Sequence, residues 1–186
     1  GTVVVVDALE QPAMEDEILA LIAETTRGGR VGTVINTHTH GDHTALNEAF
    51  RRRHGATILS ARGGNFTATG MTLAGSARSV HVAHLPGCHT AEDLIVWEPA
   101  ARVLFVGDIF GWGLIPWDRP LDREKIEAIV AAYTRLTAMD PQVVVPGHGP
   151  LCGQGELRRW IDYVRGLEAA IKDLHRAGLT RRDLPL

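Results

Sequence analysis

Residues 34–50 read VINTHTHGDHTALNEAF and place three histidines and an aspartate within six positions. These residues, His38, His40, Asp42 and His43, follow an apolar run and precede a segment with helical character. The whole chain of 186 residues has only nine histidines, so the density here is unusual. Neutral imidazole and carboxylate oxygen are ordinary ligands of zinc and related ions. The stretch is therefore either a histidine-rich polar turn or half of a metal site.

The rest of the chain alternates between segments of strand character and amphipathic segments of helical character. Residues 2–8 are β-branched and continuous, which is typical of a strand covered on both faces. Residues 62–78 are rich in Gly, Ser and Thr and predict a loop or an edge hairpin. The alternation predicts one layered α/β domain over residues 1–186, with polar loops at the strand ends. Further strands are predicted at 30–37, 56–61, 79–85, 94–108 (two strands around Pro99) and 142–147, and helices at 12–29, 44–55, 122–139 and 155–178.

Two of the predicted helices carry apolar residues at helical spacing, which indicates the face that packs on the core. In the first helix these residues are Met14, Ile18, Leu21 and Ile22. In the last helix they are Leu157, Trp160, Ile161, Val164, Leu167, Ile171 and Leu174.

Three more potential ligands follow predicted strands. His89 stands in LPGCHTAED, Asp108 closes RVLFVGD, and His148 stands in VVVPGHGP. Open α/β sheets place their ligands in the loops at this end of the strands. With the first cluster, the chain offers five imidazoles and two carboxylates as candidate metal ligands.

The spacing of these residues suits two ions better than one. His38 and His40, two positions apart in an extended segment, point the same way and can hold one ion. Gly41 lets the chain turn, so that Asp42 and His43 face a second ion. Two ions about 3.5 to 4 Å apart need a bridging oxygen, for which Asp108 is the candidate. Water held between two cations loses a proton near neutral pH and becomes a hydroxide nucleophile.

Composition and charge exclude several other classes of function. The formal net charge is -3 and the pI about 6.3, which predicts no binding to nucleic acid or anionic lipid. No apolar run approaches the roughly 18 to 20 residues of a membrane helix. The opening residues lack the pattern of a signal peptide. Cys88 and Cys152 form no CxxC pair, so we expect reduced thiols and a cytoplasmic location.

The motifs THTHGDH, PGCHT, FVGD and VPGHG resemble, in this order, those of the metallo-β-lactamase superfamily of hydrolases. The resemblance implies an αββα sandwich and two zinc ions, with manganese, iron or cobalt as possible replacements. It implies that Asp7 and Asp93 support the ligands. It also implies that the strands usual before Asp7 are lacking here, so the chain is a fragment or receives them from elsewhere. By the same resemblance, His38, His40 and His89 hold the first ion, Asp42, His43 and His148 hold the second, and Asp108 bridges them.

Two residues select a branch of this family. The commonest true β-lactamases have a cysteine where Asp108 stands, and di-iron flavoproteins have a glutamate where His40 stands. With these two branches set aside, the chain resembles the thioesterase, lactonase and glyoxalase II-like branch of the family. There, a hydroxide bridging two zinc ions attacks the ester, thioester or lactone carbonyl of a small acyl substrate. Asp42 is then both a ligand and the catalytic proton acceptor.

Two alternatives stay open. One is an oxidoreductase with a single iron, resembling persulfide dioxygenases, although that branch makes limited use of the second ligand set. The other is a non-catalytic, metal-stapled domain of a larger protein. The sequence makes no prediction of oligomeric state.

The stretch IFGWGLIPWDRP, residues 109–120, is unusually aromatic. Phe110, Trp112 and Trp117 are predicted either to line an apolar substrate pocket or to buttress the core. Residues 61–71 are either a lid or a plain surface loop. Cys88 is expected to be a small buried residue rather than a nucleophile.

Overall fold

The computed structural model describes residues 2–63, 70–75, 78–111 and 122–183. Two β-sheets pack face to face. The first has the strand order β1-β2-β3 and is parallel throughout. The second has the order β4-β5-β6-β7-β8 and is antiparallel except for the β7–β8 pair. The elements are β1 (Thr2–Val6), α1 (Glu15–Thr25), β2 (Arg30–Ile35), α2 (Gly41–Thr44), α3 (Asn47–His54), β3 (Thr57–Leu59), β4 (Met71–Ala74), β5 (Ser79–His84), β6 (Leu94–Glu98), β7 (Val103–Gly107), α4 (Arg123–Ala138), β8 (Val143–Pro146) and α5 (Gln154–Arg176).

The hydrophobic core consists of three clusters, one between each pair of adjacent layers. Val34 and Phe50 belong to the cluster that joins the first sheet to α1 and α3. Ile35 and Val96 belong to the cluster between the two sheets. The largest cluster joins the second sheet to α4 and α5 and includes the fully buried Tyr133. The layers are therefore helix, sheet, sheet and helix, and the predicted αββα fold class is confirmed.

The prediction that the first strand is covered on both faces was wrong. Among the described strands β1 pairs only with β2, so it forms an edge of its sheet. Val4 is 37% exposed. It lines an open cleft of about 800 Å³ between the sheets, together with Thr33, Leu73 and Val80. The run of valines reflects the fit of β-branched residues to a pleated, half-buried surface, which does not require burial on both faces.

The predicted apolar stripes were only partly right. In α1 the buried residue is Leu19, and Leu21 is exposed. In α5 Leu157 and Val164 are buried, but Ile171 is 51% and Leu174 37% exposed. Helix α5 has 23 residues and its main helical neighbour α4 has 16, so the two helices cannot pack along the full length of α5.

The arrangement of strands brings several loops to one edge of the sandwich. Parallel pairing of β1 with β2, and of β7 with β8, puts the carboxyl ends of these strands side by side within each sheet. A hydrogen bond from Leu94 N to Thr37 O (2.6 Å) joins the loop after β2 to the start of β6. Within the stretch 62–78, for which a loop or an edge hairpin was predicted, β4 pairs antiparallel with the following strand β5, as in a hairpin, and residues 64–69 and 76–77 lie outside the described residues. Within the part of the chain that is described, no helix is long and apolar enough to cross a membrane.

Candidate metal centre

Nitrogen atoms of three histidines, two of them in the loop that follows β2, lie close together. The distance from His38 Nε2 to His40 Nδ1 is 3.1 Å, and that from His89 Nε2 to His40 Nδ1 is 3.2 Å. Asp108 Oδ2 completes the group at 3.7 Å from His38 Nε2 and 3.6 Å from His89 Nε2. A tetrahedral zinc ion with bonds of about 2.0–2.1 Å spaces its ligand atoms about 3.3–3.4 Å apart. This first ligand set, His38, His40, His89 and Asp108, therefore matches the dimensions of one ion.

A second group forms where the chain turns into the one-turn helix α2 at Gly41. His148 Nε2 lies 3.1 Å from Asp42 Oδ2, and His43 Nε2 lies 3.5 Å from the same oxygen. Asp108 again completes the group, with Oδ1 3.3 Å from His43 Nε2 and Oδ2 3.5 Å from His148 Nε2. The second ligand set is Asp42, His43, Asp108 and His148.

Asp108 is the one residue that the two sets share. Its Oδ2 atom lies within 3.7 Å of His38, His89 and His148, so one oxygen faces both sets. The structure thus brings all seven residues singled out from the sequence into one cluster. They fall into two ligand sets, and the members of each set are those that the resemblance implied.

Asp7 and Asp93 hold the ligand loops in place. Asp7 Oδ2 lies 2.8 Å from His43 Nδ1, which leaves His43 Nε2 facing the site. The same carboxylate accepts hydrogen bonds from Thr37 N and Thr37 Oγ1. Asp93 accepts a hydrogen bond from the backbone N–H of His89, and further bonds from Thr90. Outer carboxylates of this kind fix the orientation of metal-binding histidines.

The pKa values of four ligand residues are shifted from their ordinary values in the metal-free protein. Burial and the neighbouring His43 lower the pKa of His38 to about 3, and burial also lowers the pKa of His89. Both rings are therefore neutral at pH 7. Burial would lower the pKa of His43 as well, but its pairing with Asp108 and Asp7 outweighs this effect and raises it to about 10. Burial would raise the pKa of Asp108, but the pairing with His43 lowers it to about 2.

Three buried atoms of the ligand residues lack hydrogen-bond partners among the described residues, namely His43 Nε2, His89 Nδ1 and Asp108 Oδ1. Buried polar atoms are rarely left in this state, because each costs free energy that a ligand can recover. His43 Nε2 and Asp108 Oδ1 face the second ligand set, whereas His89 faces the first set through its other nitrogen, Nε2. The donor types, their spacing and these unsatisfied atoms all fit a bound metal ion.

A further set of contacts around the ligands was not predicted. Thr39 Oγ1 donates to Glu92 Oε2 at 2.5 Å, and Arg62 Nε lies 2.7 Å from Glu92 Oε1. Asn36 and Asn47 bond reciprocally, and Asn36 Nδ2 also donates to His43 O. Thr39 and Glu92 are 53 positions apart, so no local pattern in the sequence could indicate their bond.

The aromatic stretch after Asp108 is described only in its first residues. Phe110 is fully buried and packs edge-on against Tyr133 and Trp160, so for this residue the buttress alternative is correct. Trp112 and Trp117 lie outside the described residues, as does most of the suggested lid at 61–71. Cys88 is buried, as expected.

Fold and ligand arrangement together define a metallo-β-lactamase-type domain. Residues 1–70 match the family model described as the metallo-beta-lactamase superfamily. Over these residues the chain resembles the metallo-beta-lactamase superfamily in sequence.

The chain is also similar in sequence to an acyl-compound hydrolase, as named for that protein. The chain is 32% identical over 168 residues to a hydroxyacylglutathione hydrolase of Methylococcus capsulatus (strain ATCC 33009 / NCIMB 11132 / Bath). This match covers 77% of the chain and 64% of the relative, so the chain spans less than two thirds of the relative's length.

Solved structures share the fold at lower identity. A metallo-beta-lactamase from Pontibacter korlensis superposes with a TM-score of 0.70 and 23% identity, covering 87% of this chain and 81% of that one. ETHE1 from Myxococcus xanthus superposes with a TM-score of 0.67 and 22% identity, covering 97% of this chain and 82% of that one.

Proposed function

We propose that the protein is a metal-dependent hydrolase that binds two zinc ions and cleaves an ester, thioester or lactone bond in a small acyl substrate. The similarity to a hydroxyacylglutathione hydrolase supports hydrolysis of an acyl compound. The net charge of -3 supports a small molecule rather than a nucleic acid as the substrate.

The observation that carries the proposal is the pair of four-residue ligand sets that share Asp108. The second set is as complete as the first, which favours two ions over the single iron of a dioxygenase-like enzyme. Bound zinc would supply Lewis acidity, which makes a water molecule nucleophilic near neutral pH and polarises the substrate carbonyl.

The ligands also show where a substrate can approach. His38 and His43 are buried, whereas His40 and His148 are exposed. The cluster is therefore open to solvent on the side of His40 and His148, and a carbonyl group would enter there. The buried ligands on the opposite side fix the geometry of the cluster.

Asp42 is the residue placed to move a proton. Its Oδ2 atom faces His43 Nε2 and His148 Nε2. Oδ1 of the same carboxylate is left to accept the proton from the attacking water and to return it to the leaving group. General acid–base catalysis of this kind contributes typically about 10²–10⁴-fold to a rate.

The test is a panel of short thioesters and lactones assayed with zinc-loaded protein and with the His40→Ala variant. We expect turnover by the parent protein and a loss of at least about tenfold in zinc affinity and in kcat/KM for the variant, because the first set loses one of its three imidazoles. The matched control is His81→Ala, in the hairpin of β4 and β5, which should leave the zinc affinity and kcat/KM unchanged. Full turnover by His40→Ala, or no turnover of any substrate by the zinc-loaded parent, would contradict the proposal.

A further inference from the structure

The first ligand set is assembled from two separate loops. His38 and His40 lie in the loop after β2, and His89 lies in the loop between β5 and β6. The backbone bond from Leu94 N to Thr37 O joins the bases of these loops. That bond does not fix the more exposed part of the first loop, which carries His40. There His40 Nδ1 lies 3.2 Å from His89 Nε2.

Thr39 and Glu92 connect the loops at this outer end. Nitrogens of His38 and His40 converge on one point, so the side chain of Thr39 between them points away from the ligand set. There its hydroxyl donates a 2.5 Å hydrogen bond to Glu92, which lies three positions after His89. The Glu92 side chain is only 20% exposed. Hydrogen bonds to ionised acceptors are about twice as strong as neutral ones.

We propose that the Thr39–Glu92 hydrogen bond positions His40 relative to His89, and so sets the affinity of the first ligand set for its metal ion. Neither residue contacts the ion, so both are positioning residues. Contacts of this kind typically change metal affinity about 10–100-fold. The inference rests on the proposed function only in requiring that the cluster bind metal.

Arg62 has a smaller part in this arrangement. It binds the second oxygen of Glu92 at 2.7 Å, but its own side chain is 73% exposed. Exposed ion pairs contribute little because water and salt screen them. Arg62→Ala should therefore change the metal affinity less than about threefold.

The experiment measures zinc affinity by competition with a chromophoric chelator, one ligand set at a time. A His148→Ala parent weakens the second set and reports on the first. In this parent, Glu92→Ala and Thr39→Val should each lower the affinity about tenfold or more. The double variant should lose no more than the larger single loss, because both substitutions remove the same bond. Glu92→Gln keeps an acceptor oxygen and should restore most of the affinity.

Three controls separate positioning from general damage. In a His89→Ala parent, which reports on the second set, Glu92→Ala should leave the zinc affinity unchanged. Glu48→Ala removes another carboxylate paired with an arginine, Arg51, and should have no effect in either parent. The urea midpoint of the metal-free protein should be the same with and without Glu92→Ala.

Unchanged affinity of the first set in Glu92→Ala would overturn the inference. Equal losses in both sets, accompanied by a lower urea midpoint, would overturn it too. Metal binding that depends on Glu92 in a protein that hydrolyses no acyl substrate would support the inference and contradict only the proposed function. A parent protein that binds no metal would overturn both.

Discussion

Two glycines allow close approaches of the backbone at the candidate site, one to Asp108 and one to Thr37. A Cβ atom on Gly147 would lie 1.9 Å from Asp108 Oδ1, and one on Gly107 would lie 2.3 Å from Thr37 Oγ1. Gly107 also has φ = +50°, a value that residues with a side chain rarely adopt. The absence of a side chain on Gly147 therefore leaves room for the shared carboxylate, and its absence on Gly107 leaves room for Thr37, which bonds to Asp7.

Gly147→Ala should displace the carboxylate of Asp108 and weaken both ligand sets. We expect zinc affinity to fall by at least about tenfold, because Asp108 is the residue common to both sets. Chelator competition measures the change. Gly155→Ala is the matched control, since a Cβ atom there meets no atom within 4 Å. Zinc binding by Gly147→Ala at the parent's affinity would contradict the assigned role of Asp108.

His43 makes the stability of the metal-free protein depend on pH. Its pKa is about 10 in the folded chain and 6.5 ordinarily, so the folded state binds this proton more tightly than the unfolded state. The resulting stabilisation is complete below pH 6.5 and is lost as the pH rises toward 10. Between pH 6.5 and 8.5 the free energy of unfolding should fall by up to about 1.4 kcal/mol per pH unit.

Urea denaturation in the presence of a chelator measures this slope. The pKa of Asp108 is lowered from 3.8 to about 2, so this group acts below the chosen window. The pKa values of His38 and His89 are lowered from 6.5, so these two groups oppose the slope of His43 near pH 6.5, and the slope is read between pH 7.5 and 8.5, where their contribution has ended. The thiol of Cys152, whose pKa burial raises to about 11, acts above it. His43→Gln should have a flat profile. A flat or rising profile in the unsubstituted protein would show that His43 is not held as an imidazolium by Asp7 and Asp108.

At the scale of elements, the two halves of α5 should respond differently to the same substitution. Leu157→Ala should cost about 2–5 kcal/mol, because it opens a cavity in the cluster between the second sheet and the outer helices. Ile171→Ala should cost less than about 0.5–1 kcal/mol, since Ile171 is already half exposed. Equal losses in urea denaturation would mean that the second half of α5 is covered in solution.

The elements that the sequence predicted well are those whose signals are local. Strand ends, helix periodicity and histidine spacing depend on neighbouring residues, so the positions of His38, Asp108 and His148 at strand ends could be anticipated. Exposure of Val4 and Ile171 could not, because it depends on how far other elements extend beside them. The bond between Thr39 and Glu92 joins positions 53 residues apart and has no sequence pattern either.

At the scale of the whole molecule, the candidate site depends on the packing of the two sheets. His38, Asp42 and His43 follow a strand of the first sheet, whereas Asp108 and His148 follow strands of the second. The order of four short motifs predicted this assembly because the family resemblance supplied the topology. Their local chemistry alone predicted a metal site, but it could not show that both sheets contribute to it.

We propose that the seven ligand residues together hold two metal ions. The most direct measurement is the metal content per chain, by elemental analysis of protein purified without added metal. We expect about two zinc ions per chain, and a lower content in Asp108→Ala, because that variant loses the ligand common to both sets. About one iron per chain, no bound metal in the folded protein, or two ions retained in Asp108→Ala would contradict the account.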